Sequence, residues 1–384
     1  MPLGKFKNSI YRLSLSMIGG PVKWDVAKDI DNNENVILTK ILKKNKVVAG
    51  SIQLINNWEL TQCYTFGKTN EEKTGKEIKP NTYFRTASLT KMVLALLVFR
   101  LKTLNLLKVT DSISDYLGYE VYNPYFPKAP ITIAMLLSHT STFVDTRENM
   151  QAMHEGKSLK QIFKDKNSYL DTIPGTIFRY SNIAFGSLGC ILENKFSKSI
   201  EELIQYYLFE PFGIKSTFDI TKLSIDNVAD CYRVNPKKKT LCMENRKRHS
   251  NPIIHMNPQK HYQFGSGNLY SSSVDLAKLA ILSQNGLNGF LDDTSLVMLR
   301  NPIFSWPNQE VQMYNCMGRF CLNDLSISNS ILWGHQGFAY GSVNGIFINN
   351  NGDGFVQLNN GASEERVGHL AVLNKELISA LLNN

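Results

Sequence analysis

The sequence predicts an α/β protein of the α+β type, with an antiparallel sheet built from both ends of the chain and flanked by helices. Strand-like runs occupy residues 47–66 and return after about residue 310. Between them, most segments space their apolar residues as helices do and are bounded by Pro, Gly, Ser or Thr. We therefore expect an all-helical subdomain between the two halves of the sheet, with the active site in the cleft where they meet.

The first half of the sheet is predicted in two runs, VVAGSIQLIN and LTQCYTFG, which are joined at Asn56-Asn57. A polar loop rich in Lys and Glu follows and ends at Pro80. From Ala87 the pattern changes, because the segment SLTKMVLALLVFRLKTLNLL is apolar on most faces, as in a helix buried in a core. Ser88 lies near the start of this predicted helix.

Further helices and a closing set of strands complete the prediction. Helical segments are predicted at 131–138, 183–196, 199–208 and 274–284. The runs ILWGHQG, VNGIFINN and GFVQLNNG are typical of three successive strands, the last two joined by a turn at 351–354. An amphipathic helix over 364–382 ends the fold.

These patterns predict an N-terminal extension of residues 1–35 and a single catalytic domain of residues 36–384. The sheet part of that domain is expected at about 36–85 and 300–384, and the helical part at about 86–299. No internal repeat and no low-complexity linker divides the chain.

Composition fits a globular protein, with 43% hydrophobic and 20% charged residues among 384. The formal charge of +9 favours anionic partners in general, and no nucleic-acid-binding module is apparent. Six cysteines show no CxxC pair and no metal-ligand spacing, so we expect reduced thiols, no metal and no cofactor. No apolar run is long enough to span a bilayer. An apolar patch at 10–18 is interrupted by Arg12, so a cytoplasmic location is expected, or export if this patch acts as an atypical signal.

The first candidate for chemistry is the tetrad Ser88-Leu89-Thr90-Lys91. On a helix, residues i and i+3 share one face, so a lysine there can take the serine proton if burial lowers its pKa. Such tetrads also occur by chance in most proteins of this size. Alone, this one would indicate only a capping serine and a surface lysine.

Two further segments add to the tetrad. Tyr180-Ser181-Asn182 precedes a predicted helix, where a phenol can move a proton and an amide can hold a substrate carbonyl. His335-Gln336-Gly337 ends a predicted strand, where a glycine lets a substrate backbone lie against the strand edge. The amide of Phe338 is then a candidate oxyanion donor beside the amide of Ser88. Taken singly, each segment has an ordinary structural explanation.

Taken in order, these segments resemble the serine β-lactamase and D,D-peptidase (penicillin-binding-protein) superfamily, in its class C-like branch. The resemblance covers roughly residues 45–362. It includes ITIAMLLSHTST, PGTIFRYSNIAFGSLGCILE, IEELIQYYLFEPFGIKSTF and GSGNLYSSSVDLAKLA.

The resemblance implies a role for each of these side chains. Ser88 would be the nucleophile, Lys91 its general base or proton relay, and Tyr180 a second base or acid. Asn182 would bind the substrate amide, and the strand segment from His335 through Gly337 to Phe338 would carry the oxyanion hole.

At two positions the sequence departs from the family pattern, and these departures bear on the expected activity. The third motif is H-Q-G, where β-lactamases have K-T-G or K-S-G, and a histidine is largely neutral at pH 7. Thr142 stands where the family's HTSG segment has glycine, and we expect it to alter a turn.

A basic segment at 236–249 is either a positive rim that recruits an anionic substrate or a solvated loop.

The expected function is therefore a serine hydrolase that cleaves an amide or ester through an acyl-enzyme on Ser88. A D-amino-acid peptidase (such as a D-alanyl-D-alanine carboxypeptidase), an amidase or a carboxylesterase is favoured. The alternatives are a β-lactamase, a penicillin-binding sensor that deacylates slowly, or an acyltransferase. The partner is a small-molecule or peptide substrate, and the sequence does not specify an oligomeric state.

Overall fold

The computed structural model describes residues 36–72, 74–149, 157–234, 239–250, 264–307 and 310–383. Its strands, in chain order, are β1 (Gly50–Asn56), β2 (Glu59–Phe66), β3 (Phe84–Arg85), β4 (Cys231–Val234), β5 (Lys239–Cys242), β6 (Tyr270–Ser271), β7 (Phe304–Ser305), β8 (Met313–Asn315), β9 (Phe320–Leu322), β10 (Leu332–Ala339), β11 (Ser342–Ile348), β12 (Gly354–Asn359), β13 (Arg366–Val367) and β14 (Leu370–Ala371). The predicted extension, residues 1–35, lies outside the described residues.

The α-helices are α1 (Val36–Lys44), α2 (Leu89–Thr103), α3 (Ser114–Leu117), α4 (Ile133–Leu137), α5 (Leu159–Lys164), α6 (Asn182–Phe196), α7 (Ile200–Ile204), α8 (Glu244–Ser250), α9 (Phe264–Gly267), α10 (Ser273–Asn285), α11 (Asp293–Arg300) and α12 (Val372–Leu381). A π-helical turn, Gln205–Phe209, continues α7. Among the described helices, none has the length and apolar character needed to cross a bilayer.

The main sheet combines strands from the first and last parts of the described chain, as predicted. Its order is β2-β1-β12-β11-β10-β9-β8-β7. β1 pairs antiparallel with β12, so that Gly50 lies opposite Asn359, and β10 pairs antiparallel with β11, so that His335 lies opposite Ile346. The pairing of β10 with β9 covers only Leu332 to Gly334, and no other strand of the described residues covers that edge beyond Gly334. That free edge is where the site forms.

Helix α2 is the centre of the larger hydrophobic core. Twelve of its fifteen residues are buried, which explains why its apolar residues appear on every face in the sequence. A second core lies on the opposite face of the sheet, where α12 and α1 cover residues such as Phe347 and Phe355. The sheet is therefore buried on both faces, and α2 is held rigidly between the sheet and the other helices.

Two details differ from the sequence prediction. The region 86–299 is mainly helical, but it also contains the hairpin β4–β5 and strand β6, which pairs with β3. The closing helix begins at Val372, because residues 366–371 form the small hairpin β13–β14 around Gly368, whose φ is +57°. That hairpin brings side chains to the cleft that a continuous helix would have placed elsewhere.

Candidate active site

Ser88 stands at the N-terminal end of α2, at the mouth of a cleft. It is the residue before the first helical residue, and Ala87 before it adopts a φ of +52°. The Ser88 side chain makes no capping hydrogen bond to its own helix, so the hydroxyl is available to other groups. Within the described part of the chain, the Ser88 backbone N–H also donates to no acceptor. A free N–H beside a free hydroxyl is what a nucleophile with an oxyanion hole requires.

Lys91 lies one helical turn below Ser88 and is fully buried. Its ammonium donates to Ser88 Oγ at 3.0 Å, to Asn182 Oδ1 at 2.9 Å and to the Ser266 carbonyl at 2.6 Å. Burial lowers the pKa of Lys91 from 10.5 to about 7, and the nearby carboxylate of Asp145 opposes this shift. Near neutral pH the lysine can therefore be a free amine that accepts the serine proton.

Tyr180 completes the group of side chains around Ser88. Its ring lies 5.1 Å from Lys91 Nζ, and the residue is half-buried in the wall of the cleft. Burial raises the pKa of Tyr180 above its usual value of 10, and an interaction with the Ser88 hydroxyl partly offsets that rise. The phenol is thus protonated at neutral pH, so it is placed to donate a proton rather than to accept one.

Asn182 is fixed by Asp145, a residue that the sequence analysis did not single out. One Asp145 oxygen accepts from the Asn182 backbone N–H at 2.7 Å and from its side-chain amide at 2.9 Å. The other accepts from the Ser181 hydroxyl and the Ile183 N–H. The carboxylate therefore holds the N-terminus of α6 and turns the Asn182 carbonyl oxygen toward Lys91. Asp145 lies three residues beyond the LLSHTST segment, and that spacing gives no indication of its contact with α6.

His139, in that same segment, also positions Tyr180. Its Nδ1 accepts from the Ser181 N–H at 3.1 Å, and its ring centroid lies 4.4 Å from that of Tyr180. Burial, reinforced by Lys91 and His335, lowers the pKa of His139 well below 6.5, so the ring is neutral and Nδ1 can accept.

The turn after His139 contains Thr142 at φ +66°, a conformation that favours glycine. This is the turn that the sequence analysis expected Thr142 to alter. Its hydroxyl accepts from Asn123 Nδ2 at 2.9 Å, and that bond offsets part of the backbone strain.

The strand β10 lies against the nucleophile. A Cβ added to Gly337 would fall 2.4 Å from the Thr86 carbonyl oxygen and 3.2 Å from the Ser88 nitrogen. Glycine is therefore required so that β10 can approach the backbone in front of Ser88, whereas the sequence suggested a need for room for substrate. This approach brings the segment carrying the Phe338 amide beside the Ser88 amide.

His335 is buried and neutral. Burial, with a smaller effect of Lys91, lowers its pKa from 6.5 to about 3. Its Nδ1–H donates to the Gln336 carbonyl at 2.6 Å, which leaves Nε2 as an acceptor. A lysine at this position in the family motif would supply a positive charge, and His335 does not.

A cation nevertheless lines the cleft. Arg366, on β13, lies with its guanidinium carbon 3.8 Å from the ring centroid of Phe338. Gln336 ties the hairpin to β10, because its amide donates to the His369 carbonyl and accepts from the Ala371 N–H. The negative charge of the Glu364 carboxylate acts on Arg366. The sequence analysis missed this residue because it assigned 366–371 to a helix.

The basic segment is paired with acids where the structure describes it. Lys239 pairs with Glu71, and Arg248 with Glu244 at 2.6 Å. Arg246 pairs with Asp230 at 2.6 Å and with Glu72 at 2.9 Å. These cations link elements of the fold, and this favours neither a positive rim nor a solvated loop for residues 239–249. Residues 236–238 lie outside the described residues.

A metal site is not apparent among the described residues, because no group of three His, Cys, Asp or Glu side chains lies close enough to hold an ion. The chemistry that the site can perform is proton transfer and nucleophilic attack by side chains. A helix-borne serine served by a buried lysine and a phenol, at the edge of an antiparallel sheet, defines the class of serine hydrolases related to β-lactamases.

The chain belongs to the β-lactamase family, whose model matches residues 40–377. The family resemblance and the fold predicted from the sequence are thereby confirmed, and so is the class of enzyme. Among curated proteins, the chain is similar to the FimD protein of serogroup D from Dichelobacter nodosus, with 23% identity over 89% of this chain and 84% of that one.

Two solved structures show the same fold. The octameric penicillin-binding protein homologue from Pyrococcus abyssi superposes with a TM-score of 0.74 and 18% identity, over 92% of this chain and 78% of that one. The D-amino acid amidase from Ochrobactrum anthropi SV3, complexed with L-phenylalanine amide, gives a TM-score of 0.70 and 19% identity, over 91% and 98% of the two chains.

Proposed function

We propose that this protein cleaves an amide or a carboxylic ester through an acyl-enzyme on Ser88, with D-amino-acid peptides or amides as the favoured amide class. The observation that carries the proposal is the 3.0 Å contact between Ser88 Oγ and a fully buried lysine whose pKa is about 7. The similarity to a penicillin-binding protein homologue and to a D-amino acid amidase supports the choice of substrate class.

The reaction proceeds in two steps. Lys91, as the free amine, takes the Ser88 proton while Oγ attacks the carbonyl carbon, and the Ser88 and Phe338 N–H groups stabilise the oxyanion. Tyr180 gives its proton to the departing nitrogen or oxygen and is reprotonated from Lys91. The carbon–heteroatom bond breaks, and the acyl-enzyme forms. Water then attacks the ester, the acid leaves, and Ser88 regains its proton.

The cleft also suggests how the substrate is oriented. Asn182 and the neutral Nε2 of His335 are two of the polar groups that line the cleft with Ser88. Arg366 is the permanent cation among the described residues that line the cleft, and it takes the place of the charge that His335 lacks. A substrate with a free carboxylate would pair with Arg366. Because this charge comes from a hairpin and not from the motif strand, we place β-lactams second among the substrates.

The decisive experiment is intact-protein mass measured over time with excess penicillin, with a D-alanyl-D-alanine peptide and with a carboxylic ester. Ser88→Ala must abolish every adduct and all turnover, and Ser224→Ala, at an exposed serine, must not. Rapid release of products from the peptide or ester supports a hydrolase, whereas a persistent penicillin adduct without turnover supports the alternative of a penicillin-binding sensor. Wild-type rates in Ser88→Ala would refute the proposal.

For its location, we propose the cytoplasm, as the sequence suggested. The six cysteines all lie within the described residues and form no disulfide with one another, which suits a reducing compartment. Cell fractionation of the native protein, with antibody detection, tests this point, and recovery outside the cytoplasm would overturn it.

A further inference from the structure

Part of the cleft beside Ser88 is lined by apolar side chains, and we call this part the Trp306 chamber. The whole cavity has a volume of about 390 Å³, within the range that holds small molecules. Beyond the reacting groups, it is lined by Trp306, Met313, Phe320 and Phe338. The reacting groups themselves need little of that space, so most of the cavity must accommodate part of the substrate.

The wall of this chamber is aromatic and firmly held. The Trp306 ring centroid lies 5.1 Å from that of Phe178 and 4.9 Å from that of His369. The Trp306 backbone N–H donates to the Met313 carbonyl at 2.8 Å, which fixes the loop to strand β8. Met313 and Phe320 are each only 2% exposed. An aromatic surface that is already packed on one side can stack on a ligand at little entropic cost.

The Trp306 chamber lies next to Tyr180, the proton donor in the proposed function. The Trp306 and Tyr180 ring centroids are 5.9 Å apart, so the aromatic wall begins at the phenol. Tyr180 is the group that hands a proton to the leaving atom. Whatever is bonded to that atom must therefore extend from the phenol along Trp306.

We propose that the Trp306 chamber is the leaving-group site, and that the enzyme prefers amides and esters whose leaving part is aromatic or bulky and apolar. This inference rests on the proposed function, because it assigns one half of the same cleft. It adds a direction to the substrate: the apolar group is attached to the departing nitrogen or oxygen, and the acyl part can be small.

Benzyl acetate and methyl phenylacetate provide a matched test, because they are isomers that differ in which side of the ester carries the ring. Wild-type enzyme is expected to show a kcat/KM at least about tenfold higher for benzyl acetate. In Trp306→Ala this preference should disappear, mainly through a higher KM for benzyl acetate, and circular dichroism checks that the variant is folded. Tyr206→Ala, at an aromatic residue that is 67% exposed, is the control variant and should keep the preference.

The outcomes separate the two proposals. If both esters are hydrolysed in a Ser88-dependent way but equally well, or if methyl phenylacetate is preferred, the assignment of the chamber is wrong and the proposed function stands. If neither ester, nor any other ester or amide, is turned over by wild type, the proposed function fails and the chamber assignment fails with it.

Discussion

Replacement of the buried lysine by an isosteric apolar residue should change how stability depends on pH. Lys91 has a pKa of about 7 in the folded protein, against 10.5 in the unfolded chain. Between these two values the unfolded chain binds more protons than the folded protein at this residue, so folding releases a proton and stability rises with pH. At about 1.4 kcal/mol per pH unit, the difference corresponds to about 5 kcal/mol. This penalty is present in full below pH 7 and vanishes near pH 10.5.

The assay is chemical denaturation of wild type and Lys91→Met at several values between pH 6 and pH 10. The difference between the two free energies of unfolding is the informative quantity, because other titrating groups cancel in it. Above pH 7, the free energy of unfolding of wild type should rise relative to that of Lys91→Met by roughly 1 kcal/mol per pH unit. Lys40→Met, at an exposed lysine, is the control for the loss of a positive charge. Parallel curves for wild type and Lys91→Met would mean that Lys91 stays charged in the folded protein, and the proposed role as general base would then be refuted.

Further predictions concern the same machinery. Acylation rates should rise with pH through about 7, because Lys91 loses its proton there, and in Asp145→Asn the rise should move to lower pH, because the charge that raises the pKa of Lys91 is removed. Stopped-flow acylation across pH 5–9 measures both effects, and an unchanged midpoint in Asp145→Asn would contradict the influence of Asp145 on Lys91. Gly337→Ala should slow acylation by about 100-fold, because the new Cβ forces β10 away from the nucleophile, while circular dichroism shows an intact fold. Gly189→Ala is the control, because the atoms nearest to its new Cβ would be 3.7 Å away. Normal acylation rates in both variants would show that the close approach of β10 to Ser88 is not needed. Thr142→Val should lower the melting temperature more than Thr142→Gly. Both variants lose the hydroxyl, but only glycine removes the backbone strain of about 1–2 kcal/mol that the positive φ imposes. The reverse order of melting temperatures would show that residue 142 is not strained.

The parts of the site that the sequence predicted are those fixed by local spacing. Ser88 and Lys91 are three residues apart on one helix, so their contact follows from helical geometry alone. Their pairing with Tyr180 and Asn182 depends on how α6 packs against α2, and only the family resemblance brought these segments together in advance. The roles of all these side chains remain predictions until the variants are measured.

The parts that the sequence did not predict depend on contacts between distant segments. Asp145 acts on the N-terminus of α6, which lies 37 residues away, and nothing in its own neighbourhood distinguishes it from a surface acid. Arg366 was missed because the apolar spacing of 364–382 fits a helix, whereas Gly368 at φ +57° turns the chain back into a hairpin. The sequence predicted a glycine at 337 to make room for a substrate backbone. The structure shows that the Thr86 carbonyl occupies this space, and the sequence does not indicate that contact.

The pairing of β1 with β12 has a consequence for how the protein is made. Gly50 and Asn359 are neighbours in the sheet but far apart in the chain, so the ribosome releases the first strand long before its partner exists. Strand β10, which lies against the nucleophile, enters the sheet beside β11, which itself pairs with β12. During synthesis, Ser88 and Lys91 therefore emerge on a helix whose catalytic neighbours are still absent, and contacts of this length slow folding. A nascent chain that stops before residue 354 would hold both residues but lack strand β12, so activity becomes a report that synthesis has passed this strand.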